Sequence, residues 1–265
     1  MIFRLTVEKS VGSLTVQHIK NAYRYTEGIG FIAHGPIGWG KTSWQVKVAA
    51  HCLGTADEPD YEAVKKWLIF TPQEFCNLIL KVNSQQMILI WDDAGYWLNR
   101  LFWYETFVKE SLRYMTLQRT QFGGIVFSTP SLTLLPNKIL ELEHIYRAKI
   151  YKLATNSHSP NLRPRLAWVK RPWYSDDLTK RGCTTMWQER FSAFMPDDFF
   201  AWYEPRRKEY TLLAAKRVQD AVRKAVDKKQ VGKEAMLKNL ETEIGKSIPD
   251  EETVEELGEA ACQYA

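Results

Sequence analysis

The amino-acid sequence predicts an α/β protein in which a parallel sheet, covered by helices on both faces, continues into antiparallel strands and a C-terminal helical segment. Three observations predict it. A short apolar run, GFIAHG (30–35), leads straight into the glycine-rich string GPIGWGKT (35–42) and a helical pattern. A second run, MILIW (87–91), is continuously apolar and ends in Asp92-Asp93, as expected of a parallel strand buried on both faces. Strand and helix patterns alternate as far as residue 143, after which three strand patterns follow one another with no helix between them.

The elements read in order as follows. Residues 1–29 are weakly patterned, with MIFRLTV (1–7) an edge strand and VQHIKNAYRY (16–25) a short helix. A strand at Phe31–His34 and the glycine-rich loop precede a helix from Lys41 to about Leu53, with Trp44, Val48 and Cys52 at helical spacing. The stretch GTADEPDYE reads as turns, WLIF (67–70) as a second strand, and Thr71-Pro72-Gln73-Glu74 as the capped start of a helix to about Lys81. After the MILIW strand, one long helix is expected from about Tyr96 to Arg119, its buried stripe formed by Leu98, Leu101, Val108, Leu112 and Met115. Ile125–Phe127 is the next strand, ending in the polar Ser128-Thr129-Pro130, and a short helix follows Leu135-Pro136. Residues 144–154, 163–173 and 183–194 are three strands for which antiparallel pairing is the simplest reading. The segment MPDDFFAWYEPRRKEY opens a helix to about Lys246, with Ala215, Val218, Val222, Ala225 and Val226 as its apolar face. The expected organisation is an N-terminal segment (1–29), a sheet core (30–143), an antiparallel extension (144–199), a basic C-terminal helix (200–246) and an acidic tail (247–265).

With 265 residues, 45% of them hydrophobic and 13% aromatic, the chain can bury a substantial core. No uncharged apolar stretch approaches the roughly 18 residues that cross a bilayer, and MIFRLTVEKS lacks the core of a signal peptide, so the cytoplasm is the expected location. Cys52, Cys76, Cys183 and Cys262 form no CxxC pair and read as reduced, structural thiols. The net charge of +5 permits contact with nucleic acid, and its distribution is uneven. Arg206–Lys238 holds eleven Lys or Arg against four Asp or Glu, whereas Ser247–Ala265 holds six acids and no base.

GPIGWGKT fits GxxxxGK[ST] without a mismatch, which implies a nucleoside triphosphate as ligand. Gly35, Gly38 and Gly40 let backbone N–H groups curl around phosphate oxygens, with Pro36, Ile37 and Trp39 completing the loop. Lys41 supplies a point charge to the β and γ oxygens, Thr42 offers a hydroxyl to Mg²⁺, and Ser43 lies in the first turn of a helix whose positive end faces the same anion. Asp92 and Asp93 stand at the carboxyl end of a strand, where ligands of open α/β sheets collect. Asp92 is the candidate Mg²⁺ ligand opposite Thr42, and Asp93 the candidate acceptor of a proton from an attacking water. Ser128 and Thr129, at the end of the next strand, could orient that water or meet the γ-phosphate. Arg113, Arg119 and Arg147 are candidates for an arginine that reaches a neighbouring subunit's nucleotide in a homo-oligomer. Arg163, Arg165, Lys170, Arg171, Lys180 and Arg181, interleaved with Trp168, Trp173 and Tyr174, are candidate DNA contacts.

Loop, paired acids and polar strand end together resemble the additional-strand class of P-loop ATPases, which includes AAA+ and FtsK/HerA-type proteins. Within it, WDDAGYWL, FSTPSLTLLP and MPDDFFAWYEPRRKEY are similar to segments of small DnaA-like ATPases of archaeal viruses and plasmids. The resemblance covers about residues 28–212. It implies a P-loop NTPase sheet, ATP and Mg²⁺ as cofactors, ring or filament assembly, and action on DNA in a host cytoplasm. Asp93 departs from the Glu commonest at its position, although DnaA-type proteins are similar in using Asp-Asp, and no downstream sensor arginine stands out.

The leading expectation is therefore Mg²⁺-dependent ATP hydrolysis coupled to replication initiation or remodelling of DNA for a mobile element. Two readings compete with it. A DNA packaging or segregation motor differs in translocating along duplex DNA as a stable hexamer. A small-molecule kinase would spread arginines over a lid and has little need of adjacent aspartates. A GTPase is disfavoured because Asn137-Lys138-Ile139-Leu140 has Leu140 where the guanine-reading NKxD requires Asp.

Overall fold

The computed structural model describes residues 13–102, 104–153, 164–175 and 181–247. Its helices are α1 (Ser13–Arg24), α2 (Lys41–Leu53), α3 (Tyr61–Trp67), α4 (Pro72–Ile79), α5 (Ala94–Trp97), α6 (Thr106–Leu117), α7 (Asn137–Leu140) and α8 (Asp197–Ser247). The strands are β1 (Ile29–His34), β2 (Leu68–Ile69), β3 (Gln86–Trp91), β4 (Phe122–Thr129), β5 (Ile145–Lys152), β6 (Pro164–Tyr174) and β7 (Arg181–Ser192). The chain divides into two compact units, residues 1–207 and 208–265. The edge strand expected at residues 1–7 and the acidic tail from residue 248 onward lie outside the described residues.

The seven strands of the described residues join one mostly parallel sheet in the order β2-β3-β4-β1-β5-β6-β7. Every pairing from β2 to β5 is parallel, and β6 and β7 add on antiparallel, so the α/β class and the antiparallel extension expected from sequence are both present. β5 belongs to both regimes: it runs parallel to β1 and antiparallel to β6. Strand β4 stands between β1, which carries the glycine-rich loop, and β3, which carries the paired acids.

Strand side chains alternate between the faces, and the core follows that alternation. On one face Phe31 packs on Trp44 of α2 with ring centroids 6.3 Å apart, and a Cβ on Gly124 would lie 2.8 Å from Ile19 of α1. On the other face Trp91 stacks on Phe75 of α4 at 4.7 Å and meets Phe107 of α6 at 6.1 Å. Beyond β1, the α1 side of the extension is closed by Tyr146, Val169 and Trp187, with His18 of α1 stacked on Trp187 at 4.7 Å. At its centre is a buried carboxylate, Glu189, which accepts the Thr15 amide at 3.0 Å, the Thr15 hydroxyl at 2.9 Å and the Trp44 indole N–H at 3.3 Å. One acid thus fastens α1 and α2 to β7.

Two expectations fail locally. The helix foreseen from Tyr96 to Arg119 is broken into α5, a 3₁₀ turn at Arg100–Phe102, α6 and a second 3₁₀ turn at Gln118–Thr120. The break has a local cause: the Asn99 side chain accepts the Leu101 amide at 3.0 Å, an alternative to the helical ladder that asparagine readily makes. Leu101 consequently leaves the expected buried stripe and is 68% exposed, while Leu98, Val108 and Met115 keep their places in the core. Trp67, read as the start of a strand, ends α3, whose first turn is capped by Asp60 accepting the Ala63 amide at 2.8 Å. On α8, Ala215, Val218 and Val222 of the anticipated apolar face are exposed, and the side chains of Ala225 and Val226 lie outside the described residues.

Glu189→Ala leaves three buried donors without an acceptor, and we expect it to cost about 2–4 kcal/mol in urea unfolding. Glu62→Ala, which removes the exposed α3 pair with Lys65, should cost less than about 0.5 kcal/mol. Equal effects would contradict the fastening role of Glu189.

Candidate functional site

The loop between β1 and α2 owes its shape to backbone dihedrals that ordinary residues avoid. Gly38 has φ +80°, and Gly40, the N-cap of α2, has φ +92° and ψ +26°; both are left-handed conformations that glycine adopts without strain. Such dihedrals let successive N–H groups turn to one side, where an anion meets the positive end of α2. Lys41 is buried under the loop, its ammonium donating to the Gly35 carbonyl at 2.9 Å and the Pro36 carbonyl at 3.0 Å. Ile37 stands at the exposed tip.

The antiparallel extension braces this loop. Arg165 of β6 is buried and donates through Nε to the Trp39 carbonyl at 3.1 Å and through Nη1 to the Pro164 carbonyl at 3.0 Å. Ser43 donates to the Ala193 carbonyl at 2.8 Å, just past β7. The expectation that Arg165 faces DNA is therefore corrected: it shares the covered face with Ala167 and Val169, and its guanidinium is bound to the Trp39 and Pro164 carbonyls. The Ser43 hydroxyl is likewise taken by the Ala193 carbonyl.

The acids are organised around Asp92, whose side chain has no exposed surface. Thr42 Oγ1 donates to Asp92 Oδ1 at 3.0 Å and Oδ2 at 3.1 Å. Gln45 Nε2 and Ser128 Oγ donate to Oδ1 at 2.8 Å and 2.6 Å, and the Tyr203 hydroxyl donates to Oδ2 at 2.7 Å. Arg207, one turn after Tyr203 on α8, reaches Asp92 Oδ2 at 3.5 Å, the Tyr203 hydroxyl at 2.6 Å and Asp93 Oδ2 at 3.1 Å. Asp93 has φ +51°, left-handed for a residue that tolerates it, and its amide donates to Ser128 Oγ at 2.8 Å. Ser128 thus aligns both acids. Thr129, its neighbour, turns away to donate to the Ser131 carbonyl at 2.9 Å, and lies where a Cβ on Gly95 would fall, 2.2 Å from its hydroxyl.

The electrostatics follow from burial. Desolvation first, and Asp92 second, push the Asp93 carboxyl up to about 6, against the pull of Arg207 and Lys41. Burial also lowers Lys41, with Asp93 and Asp92 restraining the shift. Burial opposes the charge of Arg207, but Tyr203, Asp92 and Asp93 outweigh it and hold the guanidinium above its ordinary range. The result is two adjacent acids and two cations gathered where Lys41 and Thr42 begin α2. A phosphate and a divalent cation fit this donor set: backbone amides and Lys41 face the anion, and Thr42 and Asp92 present two oxygen ligands in mutual contact.

The other residues singled out in the sequence lie elsewhere. Arg113 pairs with Glu110 on the exposed face of α6 at 2.6 Å, and Arg119 is exposed after it. Arg147 donates to the Leu140 carbonyl at 2.9 Å. Asn137–Leu140 is itself α7, a helical turn. Arg163 and Lys180 lie outside the described residues; Lys170 is half-buried on β6, and Arg171 and Arg181 are exposed. Sequence reasoning missed Gln45, Tyr203 and Arg207. Their one local trace is the i, i+4 spacing of Tyr203 and Arg207, which puts them on one helix face but does not say what that face meets.

Sheet order, loop and acids give the chain a P-loop NTPase-like fold. No protein-family model matches it. It is similar to the uncharacterized protein B-251 of Sulfolobus spindle-shape virus 1, with 27% identity over 202 residues that cover 72% of this chain and 78% of that protein. Among solved structures it is similar to the N-terminal domain of zonular occludens toxin from Neisseria meningitidis, with 13% identity, a TM-score of 0.38, and coverage of 66% of this chain and 97% of that one. Among the described residues, no helix is long and apolar enough to cross a membrane.

Arg207→Ala removes the nearest cation from both acids, and we expect it to destabilise the chain by about 1–3 kcal/mol at pH 7, a partly exposed ion pair costing less than a fully buried one. Asp93 already binds its proton more tightly folded than unfolded, 3.8 being the ordinary value, so its ionisation destabilises the fold as pH rises through about 6. Loss of Arg207 enlarges that penalty. The gap between variant and wild type in thermal unfolding should therefore be wider at pH 7.5 than at pH 4.5, and a gap that is constant or widens on acidification would contradict the pairing.

Proposed function

We propose that this chain is a Mg²⁺-dependent ATPase that acts on DNA, in replication initiation or remodelling, for a mobile genetic element, working as a homo-oligomer in the host cytoplasm. The observation that carries the ATPase reading is the meeting of Lys41, Thr42, Asp92 and Asp93 at the carboxyl edge of the sheet. The position of β4 between the loop strand and the acid strand supports the additional-strand class. The similarity to a viral protein supports the mobile-element setting.

Bound Mg·ATP would supply the transferable phosphoryl group and a metal charge that draws electrons from it. The chain's own residues do the rest. Lys41 exchanges its two carbonyl contacts for phosphate oxygens, and Thr42 with Asp92 would hold the metal. Asp93, ionised at neutral pH by the position of its titration near 6, accepts the proton of the attacking water. Ser128 positions Asp93 through its amide and Asp92 through its carboxylate. Arg207, already bound to both acids, supplies a positive charge from within the same chain where negative charge accumulates. Arg113, Arg119 and Arg147 remain the candidates for a second arginine, one that reaches a neighbouring subunit's nucleotide in the homo-oligomer.

Steady-state phosphate release by wild type, Lys41→Ala and Asp93→Asn, each with and without single- and double-stranded DNA, tests the reading. Turnover should fall at least about a hundredfold in both variants, the scale of a lost charge stabiliser or base, and DNA should raise the wild-type rate. Wild-type activity in Asp93→Asn would overturn the assignment of the base, and a rate indifferent to DNA would overturn the DNA reading.

A further inference from the structure

The two faces of the extension differ sharply. On the α1 side, Ala148, Ile150, Ala167, Val169, Trp187 and Glu189 are buried. The alternate residues present the opposite face, and the register aligns them in rows: Tyr151, Leu166 and Arg190; then Lys149, Trp168 and Gln188; then Arg147, Lys170 and Thr185. These nine positions hold four cations, two aromatic rings and no acid. Lys149, Gln188 and Arg190 are exposed, and Tyr151, Trp168 and Lys170 half-buried.

With no carboxylate in their rows, both lysines settle on rings. Lys170 Nζ sits 4.3 Å from the centroid of Trp168, and Lys149 Nζ 5.0 Å from that of Tyr151. Such contacts are weak at an open site, about 0.5–1 kcal/mol, and are readily exchanged for a phosphate. Trp168 is meanwhile held in place, its indole N–H donating to Thr185 Oγ1 at 3.0 Å, and Tyr151 lies beside it with centroids 6.1 Å apart. The charge extends to the phosphate loop: His34, the residue before Gly35, pairs with Lys149 in register. Burial first, and then Lys149, Arg147, Lys170 and Lys41, depress its titration to about 4.

We propose that this face of β5, β6 and β7 is a binding surface for single-stranded DNA, with Lys149, Lys170 and Arg190 on its phosphates and Trp168 and Tyr151 on its bases. The inference takes its partner from the DNA reading above. Charge complementarity selects a polyanion. The rings select one whose bases are unpaired, because a duplex keeps its base faces stacked inside and can use only the cations. An incoming base takes the place of each ammonium over its ring, and the released ammonium pairs with the phosphate that arrives with it. Because the face abuts His34 and the loop, strand binding and nucleotide binding share β1.

The test is fluorescence anisotropy of labelled dT20 with the full-length, nucleotide-free chain at several salt concentrations, against a duplex of equal length and against rU20. Three neutralised phosphates give single-strand affinity a log–log salt slope of about −2. The single strand should bind at least about tenfold tighter than the duplex, one ring–base stack alone being worth that factor. Lys149→Glu/Lys170→Glu/Arg190→Glu should abolish most of the salt dependence and weaken binding at least about tenfold, and Trp168→Ala should weaken it with the slope unchanged. The exposed-site pair Lys149→Gln/Arg190→Gln should lower the slope by more than about 1 and covers the case in which the triple variant misfolds. Single-strand binding unaffected by these substitutions, a preference for the duplex, or tighter binding of rU20 would each overturn the proposal. Mg·ATP binding, measured on the same variants and on Lys41→Ala, separates the two readings: failure of the DNA surface leaves nucleotide binding intact, and failure of the nucleotide site leaves dT20 binding intact.

Discussion

The structure of the site depends on how one buried charge is satisfied. Asp92 is wholly removed from solvent, and an isolated carboxylate in that position would be prohibitively costly. Its two oxygens instead accept from Thr42 and Gln45 on α2, Ser128 at the end of β4, and Tyr203 with Arg207 on α8. Each donor comes from an element that must therefore stop at a fixed place. The first turn of α2, the exit of β4 and the first turns of α8 are registered to the end of β3 by this carboxylate, and the phosphate loop inherits its position from α2.

The extension of the sheet supplies what that centre cannot. A loop of left-handed glycines has little internal stiffness, and Arg165 and Ala193 hold it from the side, through the Trp39 carbonyl and the Ser43 hydroxyl. Behind them the Glu189 cluster ties β7 to α1 and α2, so the brace is anchored in the same layer that starts the loop helix. The covered face of β5–β7 is thus engaged in holding the glycine-rich loop and the start of α2. Its other face carries cations and rings that the core does not use, which is the physical ground for assigning it to a partner.

What could be read from the sequence was local. The string 35–42 and the acids after MILIW specify their structure within a few residues, because each residue type answers to its own backbone or strand end. The parallel sheet and its antiparallel extension followed from the alternation of strand and helix patterns and its end near residue 143. The misread positions needed information from elsewhere in the chain. Tyr203 and Arg207 lie more than a hundred positions from Asp92, and their i, i+4 spacing puts them on one helix face without saying what that face meets. Arg165 was a different failure: its period-2 companions Ala167 and Val169 marked a covered face, while the basic composition of the segment pointed outward. Asn99 broke a helix that the apolar spacing alone would have continued, since a side chain competing for backbone amides leaves no trace in hydrophobic periodicity.

The central claim is that Lys41, Thr42 and Asp92 form one site for a magnesium-bound triphosphate. Equilibrium binding of a fluorescent ATP analogue to the full chain, with Mg²⁺ and with chelator, tests it most directly. Wild type should bind more tightly with Mg²⁺, Asp92→Asn should lose the difference between the two conditions, and Lys41→Ala should lose at least about tenfold in affinity, the worth of one charge-assisted contact. Binding by Lys41→Ala equal to wild type, or a wild-type affinity indifferent to Mg²⁺, would contradict it.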